Sequence, residues 1–265
     1  MFREKWTTLL IVVLVTMISM ILVSEIMAQA PPQAPNKSLA AIDHAAKANK
    51  YALIFFYRQD DPQTQSLGEV FNGAAKALAA RADSVVVRIT DPSEAGIVNK
   101  FQVTKAPMPL VLALAPNGAV TASFPGNFTK EQLLGAFGTP SMERLLGTLQ
   151  QGKLALLCLQ NGRTRWNAEA MNGVRAFKAD QRYSAATEVL MVDPHSAAER
   201  PLLTKVGMNA PVEEAITILV APPGSIIGTF KGATNKDQII TTLTSAIASC
   251  GAGCQPGGQC CTPAK

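Results

Sequence analysis

The chain has 265 residues, of which 48% are hydrophobic: enough for two ordinary domains with cores, which excludes a chain disordered throughout. Its formal charge of +5 comes from 24 Lys and Arg against 19 Asp and Glu. The basic residues are scattered rather than gathered into a stripe, which argues against a nucleic-acid-binding face and leaves the charge to serve solubility.

At the N-terminus Arg3 and Lys5 precede an uncharged run from Trp6 to Ser24, the pattern of an export signal. Ala28 and Ala30 form an A-x-A cleavage pattern, yet Pro31 follows directly, and the run approaches the roughly 20 residues that span a bilayer. Two readings follow over residues 1–30: a signal peptide that is removed, or a signal anchor that keeps a single N-terminal membrane span. Both place the body outside the cytoplasm, in a periplasmic or other extracytoplasmic space, because the positive end stays inside. Residues 31–37 are Pro-rich and read as a stiff linker.

From Ser38 the pattern predicts a serine-capped helix with Leu39, Ile42 and Ala46 on one face, then the apolar strand "KYALIFF". A helix through "FNGAAKAL", a strand and short helix through "VRITDPSEA", and a strand in "KAPMPLVLALAPNG" follow. Asn117 and Gly118 between apolar runs predict a hairpin, and Thr129 with Gln132 predicts a capping box on a closing helix. The plan then recurs. Ser141, Met142, Leu145 and Leu149 repeat the first helix, "KLALLCL" repeats the strand with Lys153 in the place of Lys50, and Asn235 with Gln238 repeat the capping box. Two repeats of about one hundred residues make tandem domains, 38–139 and 140–248, rather than a solenoid. Strands joined through helices pair in parallel and hairpins pair antiparallel. Each domain is therefore expected to be α/β, a mixed sheet with helices on both faces.

This plan resembles the thioredoxin-like superfamily, most closely over Val85 to Val120, where a strand ending near an aspartate leads through a short helix to a proline-led strand and hairpin. The resemblance puts Pro109, or alternatively Pro107, at the family's cis-proline position. It also implies a Cys-x-x-Cys pair after the first long strand, where a helix N-terminus stabilises the attacking thiolate. This chain reads "FFYRQDDPQTQ" there. With Pro62 on the family proline, Asp60 and Gln63 occupy the cysteine positions, and neither forms a disulfide. The second repeat offers only Cys158, inside "LALLCL", which reads as a small core hydrophobe.

The resemblance thus implies a degenerate site at Asp60, Asp61, Pro62, Gln63 and Pro109, with no catalytic residue and no cofactor in the domains. The surface on which the family docks extended peptides can outlive the cysteines, so the expected role is a peptide- or protein-binding or scaffold module with a protein partner. Asp60 and Asp61 at a helix start read as caps and dipole partners rather than paired catalytic acids. His44 and His195 are the only histidines and fall in different repeats, which leaves little material for a histidine metal site or a Ser-His-Asp triad. No nucleotide-binding or zinc-protease motif occurs.

Residues 249–265 form a Gly- and Pro-rich tail, expected to be disordered, that carries Cys250, Cys254, Cys260 and Cys261. Outside the cytoplasm these cysteines would form disulfides. Their spacing is not that of structural Zn(II) sites, whereas Cu(I) accepts irregular thiolate clusters. The alternative function is accordingly thiol-redox or copper or zinc binding carried by the tail.

Overall fold

A computed structural model describes residues 36–249. The expected export segment and the tail cysteines Cys250, Cys254, Cys260 and Cys261 lie outside the described residues. The first repeat comprises α1 (Lys37–Lys47), β1 (Tyr51–Tyr57), α2 (Pro62–Leu78), β2 (Ala82–Arg88), α3 (Ala95–Phe101), β3 (Leu110–Leu114), β4 (Val120–Pro125) and α4 (Lys130–Leu134). The second comprises α5 (Pro140–Gln150), β5 (Leu154–Leu159), α6 (Asn167–Lys178), β6 (Thr187–Val192), α7 (Arg200–Lys205), β7 (Ile216–Ala221), β8 (Ser225–Lys231) and α8 (Lys236–Ser249).

The strands make two separate four-stranded sheets, ordered β2-β1-β3-β4 and β6-β5-β7-β8. In the first, β1 runs parallel to β2 and antiparallel to β3, and β3 pairs antiparallel with β4. The second repeats each pairing. The inner strands are apolar almost throughout because both of their faces are covered. Alternate residues of β1 and β3 divide accordingly. Leu53, Phe55, Val111 and Ala113 meet Leu67 and Phe71 of α2 and Leu133 of α4, while Ile54, Phe56, Leu110 and Leu112 meet Ile42 of α1 and Ile97 of α3. In the second repeat Leu157 and Ile218 pack on α5 and α7, and Leu156, Cys158 and Leu219 on α6 and α8.

The duplication extends to polar contacts that no local pattern encodes. Lys50 pairs with Asp83 at 3.1 Å and Lys153 with Glu188 at 3.1 Å. Ser38 Oγ donates to Glu94 at 2.8 Å, and Ser141 Oγ donates to Glu199 at 2.8 Å. This corrects the serine caps: both serines lie inside their helices, tying them to the turn before α3 or α7. Thr139 caps α5 instead, accepting from the Met142 N–H at 3.2 Å. The expected boxes at α4 and α8 are formed, Thr129 with Gln132 and Asn235 with Gln238.

Both sheets lie in one compact unit that begins at Lys37. Tyr51, at the start of β1, donates its hydroxyl proton to the Glu143 carboxylate of α5 and accepts from the Gly138 N–H at 3.0 Å. Phe137 stacks on the Tyr51 ring at 4.1 Å, with the Arg81 guanidinium 4.8 Å from the Phe137 centroid. The Gln150 side chain bonds both main-chain groups of Val120, at 2.9 and 2.8 Å, as a neighbouring strand would. Among the described residues no helix is long and apolar enough to cross a membrane.

Candidate functional site

The sequence places four candidate residues after β1 and one before β3, and the fold brings these ends together. Asp61 is the N-cap of α2, accepting from the Thr64 N–H at 2.7 Å, with Pro62 directly behind it in the first turn. That amide bond holds the Asp61 carboxyl below its usual range. Asp60 accepts from Gln65 Nε2 at 3.2 Å. The pair therefore acts as cap and first-turn partner, as read from the sequence. Gln63 Nε2 reaches Asn127 Oδ1 at 3.3 Å, and the neighbouring Gly126 N–H donates to the Pro109 carbonyl at 2.7 Å. These two bonds tie the start of α2 to the lead-in of β3. Arg58 Nη2 closes the other side on the Thr104 carbonyl at 2.9 Å.

The Met108–Pro109 peptide bond is cis. The N–H and C=O of half-buried Met108 and the C=O of exposed Pro107 make no hydrogen bond among the described residues. Unpaired main-chain groups beside a helix start offer a short edge to which an extended chain can add.

The second repeat differs at the same place. Leu114 and Val220 face Ala52 and Ala155, which puts Ala215 where Pro109 stands. There the Arg165 N–H donates to the Glu213 carbonyl at 3.0 Å and the Ala215 N–H donates to the Arg165 carbonyl at 2.8 Å, so the loop before α6 takes up main-chain groups of the β7 lead-in. The cis bond of this repeat is Pro222–Pro223, in the hairpin. Trp166 occupies the N-cap position of α6 at φ 65°, without a side-chain cap, and is 52% exposed. The sequence reading missed Trp166 and Arg165. The signal was present: the strands of the repeats match at an offset of 103 (Lys50 with Lys153) but the "NG" pairs at 100 (Asn72 with Asn172), so the intervening loops must differ.

Cys158 is 2% exposed, and burial pushes its thiol up to about 12, so it is a core residue rather than a nucleophile. His44 Nδ1 lies 3.6 Å from Asp83, and His195 Nδ1 lies 2.9 Å from Asn161 Nδ2. Among the described residues no group of three or more His, Cys, Asp or Glu could hold a metal ion.

No family profile matches the chain, and no curated protein does. Solved structures to which it is similar are thioredoxin-like. One is thioredoxin-2, a component of the malaria parasite's protein secretion machinery, at 14% identity over 33% of this chain and 80% of that one, with TM-score 0.29. Chloroplastic thioredoxin z is 12% identical over 37% of this chain and 83% of its own, with TM-score 0.31. Thioredoxin O2 from Arabidopsis thaliana, in its oxidized state, is 13% identical over 43% of this chain and 90% of its own, with TM-score 0.33. Each match spans most of the other chain's length but less than half of this chain.

Proposed function

We propose that the protein is an exported binding module in which the first repeat holds an extended segment of a partner polypeptide and performs no thiol exchange. The observation that carries this reading is the free main chain at Pro107 and Met108, set against the capped start of α2. An incoming strand would gain main-chain hydrogen bonds from Met108, while Gln63, Asn127 and Arg58 form a polar rim that can select side chains. The second repeat contrasts at one group: there the Arg165 N–H already takes the Glu213 carbonyl, the counterpart of the Pro107 carbonyl, while Glu214, the counterpart of Met108, makes no main-chain hydrogen bond among the described residues. On the mapping that the resemblance implies, Asp60 and Gln63 would hold the places of a redox pair without sulfur, and insulin reduction by the domains is then expected to be absent.

Selection of extended peptides from a random library on the full-length protein tests the reading. Met108→Pro removes the amide donor and is expected to weaken the selected peptides at least about tenfold, the order of one main-chain hydrogen bond. Arg165→Pro in the second repeat should leave their affinity unchanged. Selected peptides insensitive to Met108→Pro, in a protein whose circular dichroism is unaltered, would remove the reading.

A further inference from the structure

The Trp166 corner of the second repeat carries features that its packing does not require. A bulky side chain at φ 65° strains the backbone, and the indole, half in water, gains little burial in return. A Cβ on Gly232 would stand 3.5 Å from Trp166 Cδ1 and 3.2 Å from Glu214 Oε2, so the indole edge and the carboxylate meet over the same glycine. The half-buried Glu214 carboxylate has no hydrogen bond or ion pair among the described residues. Beside it lies a hollow of about 220 Å³ lined by Glu213, Glu214, Arg165 and Lys231 over Val212 and Ile216.

We infer that Trp166 and Glu214 form a recognition spot for a cationic side chain, lysine or arginine, presented by a partner polypeptide. An exposed indole face attracts an ammonium or guanidinium group, and an adjacent unpaired carboxylate adds a charge-assisted hydrogen bond. Lys231 and Arg165 border the hollow without pairing to either glutamate. They are therefore competitors whose removal should strengthen the site. The overall charge of +5 repels a polycation, so retention of one must be local. This spot is independent of the Met108 edge, and neither reading falls with the other.

The chain has two tryptophans, and Trp6→Phe leaves Trp166 as the only fluorophore of its kind. Full-length Trp6→Phe protein is titrated with an oligo-lysine peptide, with an oligo-glutamate peptide as control. The proposal expects a saturable change in indole emission with oligo-lysine alone, weakened roughly five- to tenfold by Glu214→Gln and tightened by Lys231→Gln. Trp166→Gly should lose retention of immobilised oligo-lysine yet melt at a higher temperature, because glycine accepts the backbone angle without strain. A response equal for both peptides, no response, or an unaltered affinity in Glu214→Gln would overturn the proposal. So would a Trp166→Gly variant that melts lower while still retaining oligo-lysine.

Discussion

Gly73 and Gly173 occupy matching positions in α2 and α6, yet their surroundings set opposite consequences for the same change. A Cβ on Gly73 would meet nothing within 4 Å, whereas one on Gly173 would stand 1.9 Å from the Thr234 carbonyl oxygen. Gly73→Ala should therefore stabilise by about 0.5 to 1 kcal/mol through helix propensity. Gly173→Ala should cost more than about 2 kcal/mol by forcing the start of α8 away. Urea denaturation of the two variants checks both signs. Asp61 gives a pH-dependent case. Its carboxyl is held below the usual range by the Thr64 N–H, so the unfolded form takes up a proton at higher pH than the folded form. The stability it adds is present above the ordinary aspartate value, about 4, and is lost as pH falls through the lower folded value. Asp61→Asn, which still caps, should reduce the drop in urea midpoint between about pH 6 and pH 3. The caps at Asp61, Thr129 and Asn235 were legible in the sequence because donor and acceptor lie within one helical turn. The roles of Ser38 and Ser141 were not, since their partners Glu94 and Glu199 lie 56 and 58 residues further along the chain.

The element most exposed to a single change is the junction where α5 meets the first sheet. Tyr51→Phe leaves the Glu143 carboxylate and the Gly138 N–H without that partner and should cost about 1 to 3 kcal/mol, measured by thermal or chemical unfolding. Burial, then the hydrogen bond to Glu143, raises the Tyr51 hydroxyl above its ordinary value. Its contribution is therefore full below about pH 10, where an unfolded tyrosine begins to ionise, and is lost as pH rises toward the folded value. Wild-type stability should fall on this alkaline limb, and the fall should be smaller in Tyr51→Phe. Element order and hairpins could be read ahead of the structure because periodicity and turn residues are local. The junction could not, because Tyr51 and Glu143 are 92 residues apart and belong to different repeats. The loop before α6 is an intermediate case: the two offsets announced a segment three residues shorter between strand and NG pair, but not that the helix would start later or that Arg165 would return to the β7 lead-in.

At the scale of the whole molecule, two copies of one plan have diverged at the same corner. The first keeps a free main-chain edge at Met108. The second bonds the Glu213 carbonyl and the Ala215 N–H of its lead-in to Arg165 and exposes Trp166. All four apolar clusters are built from residues between Ile42 and Leu243, so truncation after Ser249 should leave the melting temperature unchanged, as a cross-link within the tail would close loops that exclude both cores. What the molecule does then rests on whether the Met108 edge is used. Amide hydrogen exchange at Met108, followed with and without a peptide selected on the full-length protein, tests this most directly. The Met108 amide should exchange quickly in the free protein and at least about tenfold more slowly in the complex, while the Ala215 amide, already bonded to Arg165, keeps its rate. A bound peptide that leaves Met108 exchange unchanged would contradict the account.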